Sequence, residues 1–213
     1  MAEAIVSRDG DALIVVDVQN DFVRGGALAV PDGETIVPLV NRLMGAFAQV
    51  VLTQDWHPAG HASFASSHPG TKPFQTIAMA YGQQVLWPDH CVQGSHGAAL
   101  VDGLAVDPAF LILRKGIHAA VDSYSAFVEA DRQTTTGLGA LLRARGVARV
   151  FVAGLATDFC VAFSALDARA AGFETYVVED ACRAIDANGS LDAAWARIDS
   201  AGVRRIASSA LLG

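Results

Sequence analysis

A cysteine that could act as a nucleophile follows one of the buried strands that the sequence predicts. The apolar run 149–153 ends a few residues before Cys160, and we predict a helix over residues 158–171, capped by Thr157. The unpaired N–H groups and the positive dipole end of a helix start favour a thiolate there. Free cysteine is also among the most buried residue types, so a packing role for Cys160 stays open.

A carboxylate and an amine follow two further apolar runs. Asp17 comes directly after the run 12–16, and Lys115 follows the run 111–113. Because ligands collect at the carboxyl ends of strands in open α/β sheets, we expect both side chains in the same cleft as Cys160. A cation there would favour a thiolate and keep the carboxylate ionised. A turn or cap role for Asp17 and a surface ion pair for Lys115 remain alternatives.

A metal site is indicated beyond another strand, residues 50–53. Asp55 and His57 lie two residues apart, and a carboxylate with an imidazole suits Zn, Fe or Mn. His90 could be a third ligand, which would leave positions open for water or substrate, and His96 is its rival.

The segment after this pair is predicted to be a long functional loop. Residues 59–79 are rich in Gly, Ser, Pro and His, which is too polar for a core and too long for a simple connection. His61 and His68 lie within it, and a surface role suits either as well as metal ligation does. Trp87, further on, is either a core anchor or one flat wall of a pocket for an aromatic ligand.

The elements that must position these residues alternate between strand and helix. Further helices are predicted over residues 34–47, 138–145 and 191–201, and a further strand over residues 173–178. No repeat, linker or low-complexity tract separates them. We therefore predict an α/β fold in which one domain, residues 1–213, has three α-β-α layers around a mostly parallel sheet of five or six strands.

Composition excludes several classes of protein. Hydrophobic residues make up 52% of the chain and charged residues 17%, as expected for a sheet buried on both faces. The net charge of −7, with no basic stripe, argues against a nucleic acid partner. The three cysteines have no short paired spacing, which favours a reducing compartment. No run approaches membrane-spanning length, so we expect a soluble, cytoplasmic protein without a membrane partner.

Six motifs, in order and over nearly the whole length, resemble those of the nicotinamidases in the isochorismatase-like cysteine hydrolase family. They are VDVQNDF at 16–22, QDWHP at 54–58, LWPDHCVQG at 86–94, KG at 115–116, DSYSAF at 122–127 and GLATDFC at 154–160. The resemblance implies a catalytic triad of Asp17, Lys115 and Cys160, and it implies the metal ligands Asp55, His57 and His90.

The resemblance also implies how a substrate would be held. It places an oxyanion hole at the backbone N–H groups of Ala156 and Cys160, next to a cis peptide bond between Leu155 and Ala156. Some relatives use a further histidine near Ser63, which could hold a metal-bound water here. Phe159 replaces the tyrosine or histidine of many relatives and changes the polarity of the pocket. The implied substrate-binding residues are Phe22, Trp87, Gln19, Leu155 and Tyr124, with Phe22 and Trp87 on either side of the ring.

The implied activity is that of a metal-dependent cysteine amidohydrolase. It would convert nicotinamide to nicotinic acid and ammonia through a thioester and so feed NAD salvage, with pyrazinamide as a plausible second substrate. One divalent metal ion is implied, with Zn favoured over Fe or Mn, and a homo-oligomer is left open. The alternative is a cysteine amidase for N-carbamoyl or ureido substrates, which would not need the metal ligands. A metal-binding domain without catalysis would leave the triad unexplained, and an isochorismatase does not need a cysteine at position 160.

Overall fold

A computed structural model describes Ile5 and residues 8–213. The strands are β1 (Asp11–Val16), β2 (Gln49–Asp55), β3 (Thr76–Met79), β4 (Gly82–Val85), β5 (Ala109–Lys115), β6 (Arg149–Leu155), β7 (Glu174–Arg183) and β8 (Arg204–Ile206). The α-helices are α1 (Val37–Met44), α2 (Leu138–Ala144), α3 (Ala162–Ala170), α4 (Ser190–Ser200) and α5 (Ser209–Leu212). None of these helices is long and apolar enough to cross a membrane.

Six of the strands form one parallel sheet in the order β5-β2-β1-β6-β7-β8. Every residue of β1, β2 and β6 is buried, which explains why these segments read as continuous apolar runs and not as alternating ones. The predicted α/β class with a mostly parallel sheet is confirmed.

The order of the strands determines where a cleft opens. From β1 the chain moves outward through β2 to β5, and it then returns to β6 on the other side of β1. The connections therefore diverge above β1 and β6, and such a switch point is where open α/β sheets bind ligands at the carboxyl ends of their strands. Asp17, Asp55, Lys115 and Cys160 all lie at or just beyond these ends.

Strands β2 and β5 are longer than predicted, and each extends to include a residue of the predicted site. Asp55 and Lys115 are the last residues of β2 and β5 and are paired in register, whereas the sequence had suggested that they lie in the loops beyond. Their side chains are therefore held by the sheet itself.

Two other predicted elements are corrected. The helix expected over residues 34–47 is only α1, because Gly33–Ile36 form a 3-10 turn before it and it ends at Met44. The long loop of residues 59–79 is partly regular, since β3 pairs with β4 as an antiparallel hairpin.

The segment that carries the cysteine is not a simple helix start. Thr157–Val161 form a π-helical turn, in which the N–H groups of Phe159 and Val161 both donate to the carbonyl of Ala156. Thr157 is the first residue of this turn and makes no side-chain cap, which corrects the prediction that it caps the helix. π-helical turns of this kind occur frequently at functional sites.

Candidate active site and metal centre

Lys115 is the centre of a buried ionic cluster. Its Nζ lies 2.8 Å from Asp17 Oδ2 and 2.5 Å from Asp55 Oδ1, and it donates to the carbonyl oxygen of Ser123 at 2.9 Å. Cys160 Sγ is the fourth neighbour, 3.4 Å away. Burial opposes the charge, but the two carboxylates raise the pKa of Lys115 well above its usual value, so the amine is a permanent ammonium.

Asp17 is held so that one of its oxygens points to this ammonium. The Thr53 hydroxyl donates to Asp17 Oδ1 at 2.5 Å and also accepts the Asp17 backbone N–H. Lys115 is thus the neighbour of the other oxygen, and the side chain of Asp17 is fully buried. Burial is the main cause of a pKa of Asp17 above its usual value, with Lys115 acting against it. A carboxylate with a raised pKa is a stronger base than an exposed aspartate.

The structure modifies the expectation of a ready thiolate at Cys160. Burial raises the pKa of this thiol well above its usual value, Lys115 lowers it, and the nearby carboxylates Asp17 and Asp55 raise it again. The effect of the helix start is therefore outweighed, and the resting sulfur is a thiol. A nucleophilic role then requires a base in contact, and one oxygen each of Asp17 and Asp55 lies within 4.8 Å of the sulfur.

The three predicted metal ligands converge beside this cluster. Asp55 Oδ2 lies 3.7 Å from His57 Nε2 and 3.9 Å from His90 Nε2, while Asp55 Oδ1 faces Lys115. The Nδ1–H groups donate to backbone carbonyls, His57 to Gly116 at 3.0 Å and His90 to Pro88 at 2.8 Å. These bonds fix both tautomers with the Nε2 lone pairs directed to the same place.

The spacing of these atoms fits a divalent metal ion. With metal–ligand distances near 2.1 Å, ligand atoms in a tetrahedral site lie about 3.4 Å apart, close to the observed separations. Burial opposes ionisation of Asp55, but Lys115 and the two histidines lower its pKa and keep it a carboxylate. Burial and the neighbouring His57 lower the pKa of His90 to about 4, so that its imidazole is neutral. The donor set suits a divalent metal ion.

The other histidines take different places. The Nε2–H of His61 donates to the carbonyls of His118 and Val121, and its Nδ1 accepts the Ser63 hydroxyl at 2.8 Å, so both ring nitrogens are engaged although the ring packs on His57. His96 is exposed and lies outside the cluster. His68 donates through Nε2 to the carbonyl of Ala62.

A small cleft opens between the cysteine and the predicted metal ligands. Its walls are mostly apolar and aromatic, as is usual in pockets for small ligands. It is lined by Phe22, Leu28, Asp55, Trp87, His90, Asp122, Tyr124, Ala156, Phe159, Cys160 and Ile185. Three of the residues that the resemblance implied for substrate binding, Phe22, Trp87 and Tyr124, thus line the cleft.

Two of the expected substrate-binding residues lie outside this cleft. Gln19 is fully buried, and its amide is used by the backbone: Nε2 donates to the carbonyls of Asp55 and Ala98, and Oε1 accepts the N–H of Asp55. Leu155 is a buried strand residue whose side chain packs near Gly33. Neither residue therefore lines the cleft as expected: Gln19 holds the backbone of Asp55, one of the predicted metal ligands, and Leu155 is part of the core.

Several residues of the site were not found from the sequence. Asp122 lines the cleft, accepts the Gln84 side chain at 2.7 Å, and lies within 4.8 Å of nitrogens of His57 and His61. Its place in a polar and aromatic segment, at the start of the DSYSAF motif, was the signal that could have identified it. Thr53, which donates to Asp17, lies at the end of an apolar run, and nothing in the sequence marked it as a site residue. Nothing in the sequence marked Ile185 either.

The backbone beside the cysteine offers a place for negative charge. Within the part of the chain that the structure describes, the N–H of Ala156 has no hydrogen-bond acceptor, and Ala156 lines the cleft with Cys160. The peptide bond from Leu155 to Ala156 is cis, as the resemblance implied. A free N–H next to a thiol is the arrangement that stabilises an oxyanion.

Comparison with known proteins identifies the family of the chain. Residues 11–209 match the isochorismatase domain family. The nicotinamidase of Acinetobacter baylyi is 55% identical over 94% of each chain. The structure of PnC1 from L. infantum in complex with nicotinate is 40% identical, covers 97% of this chain and 98% of its own, and has a TM-score of 0.85.

A pyrazinamidase of Pyrococcus horikoshii in complex with zinc is 37% identical, covers 93% of this chain and 99% of its own, and has a TM-score of 0.73. The family model spans most of the length, and the relatives are matched almost end to end. The resemblance inferred from the six motifs is therefore confirmed, and the chain belongs to the isochorismatase domain family.

Proposed function

We propose that this chain is a metal-dependent nicotinamidase, which hydrolyses nicotinamide to nicotinic acid and ammonia. The observation that carries the proposal is the meeting of two groups in one apolar cleft: Cys160 with its base and cation on one side, and Asp55 and His90 on the other. A small aromatic amide needs both an attacking group and an anchor for its ring. The nicotinamidase relative and the nicotinate-bound structure support this substrate.

The first half of the reaction forms a thioester. Asp17 Oδ2 takes the proton of the Cys160 thiol, and Lys115 stabilises the resulting charges. The sulfur attacks the carboxamide carbon and forms the C–S bond. The oxyanion is held by the N–H groups of Ala156 and Cys160. The C–N bond then breaks, and the proton on Asp17 leaves with the nitrogen as ammonia.

The second half regenerates the enzyme. Asp17, again a carboxylate, takes a proton from a water molecule that attacks the thioester carbon. The C–S bond breaks, the proton returns to the sulfur of Cys160, and nicotinic acid leaves. The same base and the same oxyanion site thus serve both steps.

The metal site would fix the ring of the substrate. Asp55, His57 and His90 would hold a divalent ion, for which we favour Zn over Fe or Mn because the zinc-bound pyrazinamidase relative supports it. When bound, the ion supplies a Lewis acid for the pyridine nitrogen. Phe22 and Trp87 line the cleft and would hold the two faces of the ring.

We extend the proposal to pyrazinamide and to a place in NAD salvage, since pyrazinamide has a ring of the same size and nicotinic acid is the product. A reducing compartment such as the cytoplasm suits the three free cysteines at positions 91, 160 and 182.

One experiment tests the function. Ammonia release from nicotinamide is measured with the protein as purified, after treatment with a chelator, and after Zn, Fe or Mn is added back, with N-carbamoyl and ureido compounds as the competing substrates. We expect nicotinamide to be hydrolysed, activity to fall with chelation, and at least one metal to restore it. Ammonia release from the carbamoyl compounds that does not depend on metal would overturn the proposal in favour of the other amidase activity.

A further inference from the structure

A buried carboxylate two residues before the nucleophile holds a loop that lines the cleft. Asp158, two residues before Cys160, is 2% exposed. Its Oδ1 accepts the N–H of Ile185 at 3.1 Å, and its Oδ2 accepts the N–H of Asp186 at 2.9 Å and the hydroxyl of Ser190 at 2.5 Å. Three hydrogen bonds to one carboxylate hold the loop of residues 185–190 firmly to Asp158.

These bonds do not serve the turn that carries Asp158. In that turn the N–H groups of Phe159 and Val161 donate to the carbonyl of Ala156, and no side chain caps the turn. The Asp158 carboxylate accepts its hydrogen bonds instead from residues 185–190, about 30 positions later in the chain. Asp158 is thus a link between two segments.

The loop needs such a link because its backbone is not in a relaxed conformation. Asp186 and Asn188 have φ values of 51° and 55°, in the left-handed region that side-chain-bearing residues rarely adopt, and Gly189 has a φ of 81°. The loop begins where β7 ends, at the sheet edge that carries the cysteine, because Arg183 pairs with Leu155.

The linked loop supplies one wall of the cleft. Ile185 lines it together with Cys160, Ala156 and Phe159. Its backbone N–H is one of the groups that Asp158 holds, so the position of this apolar side chain depends on the carboxylate. A branched side chain held in this way excludes substituents from the space it fills.

We infer that Asp158 is a positioning residue that fixes the width of the cleft through Ile185, and that Ile185 is a specificity-determining residue that rejects alkyl substituents on the substrate ring. The inference rests on the proposed function for the identity of the substrate. The link between Asp158 and the loop is independent of it.

The experiment compares nicotinamide with its ring-methylated analogues, the 2-, 4-, 5- and 6-methylnicotinamides. The readout is the ratio of kcat/KM for each analogue to kcat/KM for nicotinamide, in the metal-loaded enzyme. For Ile185→Ala we expect this ratio to rise about tenfold for at least one analogue, the usual effect of one methyl group in an apolar pocket. For Asp158→Ala we expect the same analogue to gain, with a smaller gain for Ser190→Ala.

Asp180→Ala is the matched control. The carboxylate of Asp180 also accepts a backbone N–H and a hydroxyl, both from Ser208, at 2.8 and 2.6 Å, but it lies away from the cleft. We expect this variant to leave the ratio unchanged. In the double variant with Asp158→Ala and Ile185→Ala, we expect no gain beyond that of Ile185→Ala alone, because both changes act on one wall.

A second readout separates this inference from the proposed function. Hydrogen exchange at the N–H groups of Ile185 and Asp186 is expected to accelerate in Asp158→Ala and to stay the same in Asp180→Ala, whatever the substrate. Wild-type protein that does not hydrolyse nicotinamide would refute the function but leave this exchange result standing.

The inference is overturned if Ile185→Ala leaves every analogue ratio unchanged, or if Asp158→Ala lowers all rates equally without faster exchange in the loop. Should Asp158→Ala fail to fold, Asp158→Asn and Ser190→Ala decide the question. Each keeps an oxygen acceptor at the link and must show an intermediate ratio and intermediate exchange.

Discussion

Strands β1 and β6 lie side by side, with one buried ionic group at their amino ends and another at their carboxyl ends, and the two groups are built differently. At their amino ends, Asp11 accepts two hydrogen bonds from the guanidinium of Arg149, at 2.7 and 2.6 Å. At their carboxyl ends, Asp17 has one oxygen on the ammonium of Lys115, which also faces Asp55 and Cys160. At the amino ends a planar guanidinium pairs with one carboxylate, and at the carboxyl ends a single ammonium is shared among several groups.

Comparing the ion pairs of Asp11 and Asp17 shows which buried charge is structural and which is reactive. Both oxygens of Asp11 are engaged, and Oδ2 also accepts the N–H of Arg8 at 2.8 Å. The free oxygen of Asp17 instead competes with Asp55 and Cys160 for one cation, and burial raises the pKa of Asp17. A carboxylate that shares its counter-charge retains the ability to take a proton, so chemistry belongs at the carboxyl ends and stability at the amino ends.

The largest loss of activity is expected when Cys160, in the cluster at the carboxyl ends, is replaced. Cys160→Ala is expected to lower kcat for nicotinamide by about 10⁴-fold or more, because neither of the other two free cysteines lines the cleft. The free energy of unfolding should stay close to that of the wild type, since alanine suits the buried turn. Steady-state ammonia release and urea unfolding measure the two quantities. Undiminished activity in this variant would remove the nucleophile from the mechanism.

The next effect concerns the base. Asp17→Asn is expected to reduce kcat/KM by about 10³-fold, within the usual range for a general base, while asparagine still accepts the Thr53 hydroxyl. Since the base must be ionised, wild-type activity should rise with pH through the pKa of Asp17, which lies above its usual 3.8.

The same shift predicts how stability depends on pH. A carboxyl whose pKa is raised in the folded state binds its proton more tightly there than in the unfolded chain. Its contribution to the free energy of unfolding is therefore present at low pH and is lost as pH rises through the folded pKa. Asp17→Asn should remove both this loss and the acid limb of the rate profile. If the variant keeps the wild-type acid limb, another group is the base.

A smaller effect is expected at the metal ligands. His57→Ala should lower metal content and raise KM for nicotinamide by roughly tenfold or more, with a lesser effect on kcat, because it removes an anchor and not the nucleophile. Burial favours the neutral ring, but Asp55 raises the pKa of His57 above 6.5 in the metal-free site. Protons therefore compete with the metal, and its affinity should fall as pH drops below that range. Atomic absorption after dialysis at several pH values checks this, and a metal content that does not change with pH would contradict it.

The smallest effect on activity is expected at the amino ends, where Asp11 pairs with Arg149. This variant tests whether the two ends have separate roles. Asp11→Ala is expected to lower the free energy of unfolding by about 3 kcal/mol, as for a broken buried ion pair. It should change kcat/KM less than about twofold, since Asp11 begins the strand whose other end carries Asp17. Urea unfolding and ammonia release at a temperature where both proteins are folded give the two values. A loss of activity comparable to that of Asp17→Asn would show that the two ends are not separate.

The sequence predicts the parts of the site that depend on strand ends. Asp17, Lys115 and Cys160 follow apolar runs, and parallel strands bring their carboxyl ends to one edge, so convergence follows without knowledge of any contact. The metal ligands come together for the same reason, although the choice of His90 over His96 depended on the family motif.

Contacts between distant segments could not be read in this way. The hydrogen bond from Thr53 to Asp17 and those from residues 185–190 to Asp158 depend on how segments about 30 or more positions apart meet. Gln19 shows the opposite error, because a polar residue in a functional motif was assigned to the substrate although its amide serves the backbone of Asp55. Local patterns identify the polar residues of a motif but not the groups to which they bind.

The ammonium of Lys115 has more acceptors around it than protons to donate. An ammonium has three protons, yet its nitrogen faces four acceptors, the oxygens of Asp17, Asp55 and Ser123 and the sulfur of Cys160. The oxygens of Asp55 and Ser123 and the sulfur of Cys160 accept its three hydrogen bonds, and Asp17 Oδ2, although 2.8 Å from the nitrogen, has no hydrogen-bond partner among the described residues. When the sulfur loses its proton to Asp17, that carboxyl becomes neutral and needs the ammonium less. The ammonium already donates to the sulfur, so it can stabilise the thiolate without moving its nitrogen.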